Sequence, residues 1–212
     1  MPFSRAVVKT LRESYPPRSK QGFVLFLTGL YNAGQDTIAR ALQVTLNEQG
    51  GRSVTLVLDN GKSTFALGGV VIQKLTRSEF EGLSGATQLT NDLNNTAFFT
   101  SELARAGAAV IVTSLTPRRE DQTQFLQTVL HGAGSGANVF HIHVATPLEH
   151  AEVTDRRKVY ARARRGELTG LPGVGVEYET PEKPHLSVDV TAQGVPEIVH
   201  SEFAPLPSVC CC

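Results

Sequence analysis

The stretch Phe23-Val24-Leu25-Phe26-Leu27-Thr28-Gly29-Leu30-Tyr31-Asn32-Ala33-Gly34-Gln35-Asp36-Thr37 decides how the rest of the chain reads. Its opening, 23–28, is an apolar run of strand length. Gly29 and Gly34 then break the run, and Ile38, Ala41, Leu42 and Leu46 follow on one face of a helical pattern that Gly50 and Gly51 stop. A strand, Gly-x-x-x-x-Gly and a helix, in that order, present backbone N–H groups and a helix N-terminus to a phosphate. A working loop continues with Lys, which reaches the β- and γ-phosphates, and then Ser or Thr, whose hydroxyl binds magnesium. This chain has Gln35 and Asp36 at those two positions. Without the Lys, an ion pair worth about 4 kcal/mol at 4 Å and an effective dielectric of about 20 is gone. That is about three decades of rate in a reaction driven by positioning and electrostatics. Asp36 adds to the loss, because a carboxylate in the first helical turn already satisfies the dipole that would attract phosphate. It could still hold magnesium directly, so Gly29, Asn32, Ala33, Gly34, Gln35, Asp36 and Thr37 are the candidate nucleotide contacts. The competing reading is a plain turn in which Asp36 caps the helix.

Apolar runs recur at 54–58, 110–113 and 139–145, with a fifth at 186–190, and helical patterns lie near 96–106 and 120–131. Strands apolar throughout, alternating with amphipathic helices, predict a mostly parallel sheet covered on both faces. Ligands of such sheets bind at the carboxyl ends of the strands. Between Leu58 and Asn95 the pattern fails, and a long loop with a short apolar island at 70–72 is expected. A second irregular stretch, 166–184, is rich in Gly and Pro and reads as a lid or a surface loop.

The chain has 212 residues, enough for one well-buried core and too few for two ordinary domains with linkers. Residues 1–20 read as a lead-in whose short helical pattern (Val7, Val8, Leu11) ends at Pro16-Pro17, 21–203 as the domain, and 204–212 as a disordered tail. Twenty Lys and Arg balance twenty Asp and Glu, so no global field favours nucleic acid or a membrane surface. No run approaches the roughly 20 apolar residues of a spanning helix, and the N-terminus lacks the apolar centre of a signal peptide, so a cytoplasmic protein is expected. All three cysteines are terminal, Cys210 to Cys212, which leaves no disulfide framework or Cys-based zinc site in the core.

From Lys20 to about His200 the sequence resembles the adenylylsulfate (APS) kinase family, most closely the APS-kinase-like C-terminal domain of fungal ATP sulfurylases. The likeness is carried by whole phrases: 16–23 (PPRSKQGF), 36–47 (DTIARALQVTLN), 104–111 (ARAGAAVI), 144–150 (VATPLEH), 163–167 (ARRGE) and 178–183 (YETPEK). The resemblance implies a P-loop NTPase-like three-layer α/β/α fold with a mostly parallel five-stranded sheet. It also implies an ancestry in which ATP and APS were ligands.

Several family positions have changed. The family's catalytic Asp falls on Asn60, beside Asp59, and an amide cannot accept a proton as a base. The family's Arg-Asn-x-Asn segment falls near 90–93, keeping Asn91 without the Arg. The Ser-Pro-Tyr-Arg stretch appears as 116–119, keeping Pro117 and Arg119. The lid pattern Lys-x-Phe-Thr-Gly is shortened to a stretch ending in Thr169 and Gly170, with the Lys and the stacking Phe gone. Asn91, Pro117, Arg119, Thr169 and Gly170 are therefore the candidate substrate contacts, and Arg156 is the candidate surviving phosphate contact. These departures point to a kinase-inactive domain that requires no cofactor, and the resemblance to the fungal sulfurylase domain implies PAPS (3′-phosphoadenylyl sulfate) as a regulatory effector, or ATP or ADP with magnesium. The partners implied are an ATP sulfurylase catalytic domain or like subunits in a homo-oligomer. The alternatives are a divergent active APS kinase using Asp36 on magnesium and Asp59 as base, and a structural remnant that binds no nucleotide. His141 and His143 share a strand face, but with no third ligand evident they read as core or pocket-wall residues.

Overall fold

The computed structural model describes residues 15–17, 20–59, 63–67, 70–73, 86–133 and 138–203, with backbone alone at 59, 63–67, 70–73 and 86–92. The lead-in pattern around Val7 to Leu11, residue Asn60 and the tail 204–212 lie outside the described residues. Strand β1 (Phe23–Gly29) is buried at every position and leads through the glycine loop into helix α1 (Gln35–Gln49). There follow β2 (Val54–Asp59), β3 (Ser63–Leu67), β4 (Val70–Gln73), α2 (Ala86–Arg105), β5 (Ala109–Ser114), α3 (Arg119–Ala133) and β6 (Asn138–Val144). Short helices α4 (Leu148–Val153) and α5 (Val159–Arg164), strand β7 (Leu186–Val188) and helix α6 (Val195–Glu202) complete the order.

The sheet runs β4-β3-β2-β5-β1-β6-β7. Its five strands from β2 to β7 are parallel, as expected, and β1 lies at their centre, aligning Thr28 with Ser114 on one side and with His143 on the other. Period-two alternation splits the core between the two faces. Leu25, Leu27, Ile111 and Val144 pack with Ile38 and Leu42 of α1 and Ile198 of α6. Val24, Phe26, Val110 and Val112 meet Ala97 and Ala104 of α2 and Phe125 and Val129 of α3.

Two features correct the expectation of a loop from Leu58 to Asn95. Strands β3 and β4 extend the edge of the sheet as an antiparallel pair, with Asp59 opposite Ser63 and Thr64 opposite Gln73. Helix α2 starts at Ala86, ten residues before the expected helical pattern. Its first turns are rich in Thr and Asn, weak helix formers. Packing overrides that preference: Leu93 joins the core under α2, and Gln124 Nε2 of α3 donates to Asn94 Oδ1. The two long helices approach so closely that a Cβ on Gly132 would stand 2.4 Å from Ser101 Oγ.

One stripe of the α3 face carries polar groups inside the core. The rings of Phe26 and Phe125 stack at 4.2 Å, and His141 tilts against Phe26 at 5.3 Å. His141 Nε2 and Thr28 Oγ1 are 2.9 Å apart, and the His141 backbone N–H donates to His185 Nδ1 at 3.0 Å. Burial, with His143 and His185 as further contributors, holds the His141 imidazole down at about 4. Among the described residues no group of three or more His, Cys, Asp or Glu could hold a metal. His141 and His143 are buried, at 4% and 7% exposure, as expected of core or pocket-wall residues.

Phe125→Ala should cost about 3–5 kcal/mol in equilibrium denaturation, because it empties the stacked layer beneath Phe26. A second prediction concerns acid. His141 is held below its unfolded value, so the folded state binds fewer protons between pH about 4 and 6.5. Its contribution is present above 6.5 and lost as the pH falls through that window, a change of about 3 kcal/mol. Denaturation across pH should therefore show a steep loss on acidification, and His141→Gln should flatten it.

Candidate functional site

The loop between β1 and α1 is built so that its carbonyls turn into the protein. Leu30 O accepts from Ala33 N–H at 3.1 Å and from Gln35 Nε2 at 3.0 Å. Tyr31 O accepts from the Tyr160 hydroxyl at 2.7 Å, and Ala33 O from Thr146 Oγ1 at 2.7 Å. Gly34 O takes the N–H groups of Thr37 and Ile38. Among the described residues no acceptor faces the N–H groups of Gly34, Gln35 and Asp36. They lie at the positive end of α1, the arrangement that holds anions.

Backbone sterics fix the residue types here. A Cβ on Gly29 would stand 2.9 Å from Val144 O, and Gly34 has φ +105°, so both positions need glycine. Asn32 sits at φ 59°, in the left-handed region that Asn tolerates. Its Nδ2 donates to Ala151 O at 2.9 Å and Thr154 Oγ1 at 3.0 Å, which ties the loop to α4. The plain-turn reading is therefore incomplete: Asp36 makes no cap bond, and the N-cap is Gly34.

Gln35 is buried, and folding its amide back onto Leu30 O leaves Gln35 Oε1 without a hydrogen-bond partner among the described residues. Asp36 Oδ1 accepts from Thr113 Oγ1 at 2.8 Å, at the end of β5. Burial raises the Asp36 carboxyl above the usual range, opposed by the Thr113 hydrogen bond and by Arg40 and Arg157. Arg156 is exposed. Its neighbour Arg157, also exposed, is the guanidinium whose charge acts on the Tyr31 side chain and on Asp36. Asp155 positions this turn by accepting from the N–H groups of Arg157 and Tyr160, both at 3.0 Å.

The other candidate residues fall in different places. Asp59 ends β2, and Asn91 lies on α2. Pro117 O accepts from Glu179 N–H at 2.8 Å. Arg119 is committed to the segment returning from the lid: its Nε donates to Thr180 O at 2.7 Å and its Nη1 to Glu182 Oε1 at 3.1 Å. Thr169 is exposed and Gly170 has φ 82°, between the buried Leu168 and Leu171. Those two leucines pack with Tyr160 and Ala151, and with Tyr31 of the phosphate loop. The 166–184 stretch is therefore a folded element leaning on the loop, and its Tyr178 ring stacks on His143 at 5.9 Å.

Sequence reasoning missed Thr113, Thr146 and Arg157. Thr113 and Thr146 are polar residues at or just beyond the ends of apolar strands, where ligand crevices open, and that placement was a usable signal. Arg157 carried none beyond its membership of a basic run.

The adenylylsulphate kinase family matches residues 21–189. The chain is 52% identical over 194 residues to a sulfate adenylyltransferase of Aspergillus clavatus, covering 92% of this chain and 31% of that protein. To the sulfate adenylyltransferase of Coccidioides immitis it is 50% identical over 202 residues, covering 95% and 32% respectively. The chain thus spans about a third of the length of these curated relatives. The APS kinase of Mycobacterium tuberculosis, solved in complex with AMPPNP and APS, has a similar fold, with TM-score 0.72, 22% identity and coverage of 91% of this chain and 99% of that one. A hexameric APS kinase from Thiobacillus denitrificans aligns with TM-score 0.58 and 24% identity over 97% of this chain and 33% of that one. With the family match over most of its length and its likeness to part of the fungal sulfate adenylyltransferases, the chain belongs to the adenylylsulphate kinase family.

Proposed function

We propose that this domain is a kinase-inactive regulatory module that binds an adenylyl nucleotide of the PAPS type, in association with an ATP sulfurylase catalytic domain or like subunits. One observation carries the reading: the position that supplies the lysine in a working phosphate loop is Gln35, whose amide is spent on Leu30 O. The N–H cradle and the glycines that shape it support binding of an anion. Phosphoryl transfer additionally needs charge to neutralise the transferring group. Arg157 is a cation beside the loop, and it is shared with Tyr31 and Asp36.

The donor set also departs from the magnesium site of working loops, since a carboxylate already accepting from Thr113 stands where a hydroxyl would bind the ion. The residues of this chain can bind and orient a phosphate-bearing ligand, and regulation requires no more than that.

Calorimetry with PAPS, APS and ATP-magnesium, together with an ATP-to-APS phosphoryl transfer assay, tests the proposal. Saturable PAPS binding without transfer above background is expected. Measurable turnover would establish a divergent kinase, and no binding at millimolar ligand would establish a structural remnant. The double variant Gln35→Lys with Asp36→Ser should tighten ATP binding about tenfold to a hundredfold, by adding one cation and removing one anion beside the phosphates. Unchanged affinity would mean that the loop does not cradle phosphate.

A further inference from the structure

The chain enters β1 at the end of the sheet opposite the phosphate loop, and its backbone there is bonded to the domain it enters. Arg52, in the turn between α1 and β2, serves three carbonyls with one nitrogen: Nη1 donates to Lys20 O at 3.0 Å, to Gln21 O at 2.9 Å and to Gly107 O at 3.3 Å. A charged donor shared by the carbonyls of two separate segments ties them together more strongly than a neutral one would. Gly22 N–H donates to Ala104 O at 2.7 Å, and a Cβ on Gly22 would collide with Ala108 O, so the entering backbone lies directly against the junction of α2 and β5. Lys20 N–H closes back on Pro17 O at 2.8 Å. Further out, the Tyr15 hydroxyl donates to Glu102 Oε2 at 2.9 Å, and the Arg105 guanidinium lies 5.8 Å over the Tyr15 ring, within cation–π range. Arg105 is itself anchored, its Nη1 donating to Gly132 O at 2.9 Å.

We infer that residues 15–17 and 20–22 form a strap that belongs to this domain and fixes the direction in which the preceding chain leaves it, with Arg52 as the positioning residue. A free linker keeps its backbone in water and lets the domains it joins move independently. Here the polar groups of the segment are taken up by α2, by the turn before β2 and by the turn before β5. The folded unit then begins at Tyr15 and not at the boundary expected after residue 20. The match to the Coccidioides immitis relative covers 95% of this chain, too much to leave out the strap, and only 32% of that protein. The strap stands where a domain of this kind meets the rest of a longer chain, and a stiff join lets the position of one domain set that of its neighbour. The inference does not rest on nucleotide binding by the loop.

Backbone nitrogen relaxation and amide hydrogen exchange, measured by NMR on the full chain, test the strap. In the wild type, Tyr15, Lys20 and Gly22 should give order parameters of about 0.85, equal to those of β1. Arg52→Ala should drop Tyr15 and Lys20 below about 0.6. It should also speed exchange at Lys20 at least about tenfold, while Leu25 and Ile111 stay protected. Tyr15→Leu, which leaves the bonds at the entry to β1 in place, should free position 15 and not Gly22, and it decides the matter if the Arg52 variant loses its core protection. Wild-type order parameters below about 0.6 at Tyr15 and Lys20 would overturn the inference. So would values that neither substitution changes.

Discussion

Hydrogen bonds that turn the carbonyls of Leu30, Tyr31 and Ala33 away from the loop interior set the geometry around which the site is built. A peptide group that hides its carbonyl must present its N–H on the other side, so these bonds dictate the inward ring of donors. Each comes from a different element: Gln35 from α1, Tyr160 from α5 and Thr146 from the turn after β6. The loop's shape is held by the surrounding fold and does not wait for a ligand. Such preorganisation holds the ring of N–H groups in place with glutamine, not lysine, at position 35.

The same wiring joins regions that lie far apart in sequence. Asn32 reaches Ala151, and Tyr31 packs with Tyr160, Leu168 and Leu171. From there the chain runs on to Tyr178, stacked on His143, and to Glu179, whose N–H bonds Pro117 O. Arg119 then pins Thr180 and Glu182. Arg119 is a member of the family's substrate pattern, yet here its guanidinium holds this returning segment in place. A side chain of the expected type at the expected position can therefore serve an architectural end, and only its partners reveal it.

The electrostatics of the site follow from two exchanges of residue type. Gln35 for a lysine removes a full positive charge and leaves an acceptor. Asp36 for a hydroxyl adds a negative charge that burial alone would penalise, and the Thr113 hydroxyl, Arg40 and Arg157 offset that penalty. The outcome is a phosphate loop of low net positive potential attached to a helix N-terminus of ordinary strength.

The sequence alone displays the five parallel strands, because runs such as 23–28 and 110–113 are apolar at every position and must be covered on both faces. It determined the glycine positions of the loop and the loss of the lysine and hydroxyl, since these are matters of residue identity. It missed β3 and β4, although two residues, Gly68-Gly69, between short apolar runs carried a hairpin signal. It also missed the start of α2, whose Thr- and Asn-rich turns are stabilised by α3 and not by their own propensity. The destinations of the polar side chains emerge only on folding: Gln35 onto Leu30, Asp36 onto Thr113, Arg157 and not Arg156 acting on the loop, and Arg119 onto Glu182. The reason is physical. Burial of apolar surface has a period that a linear sequence displays. A hydrogen bond or ion pair between residues such as Asp36 and Thr113 exists only once the fold has brought two distant segments within about 3 Å.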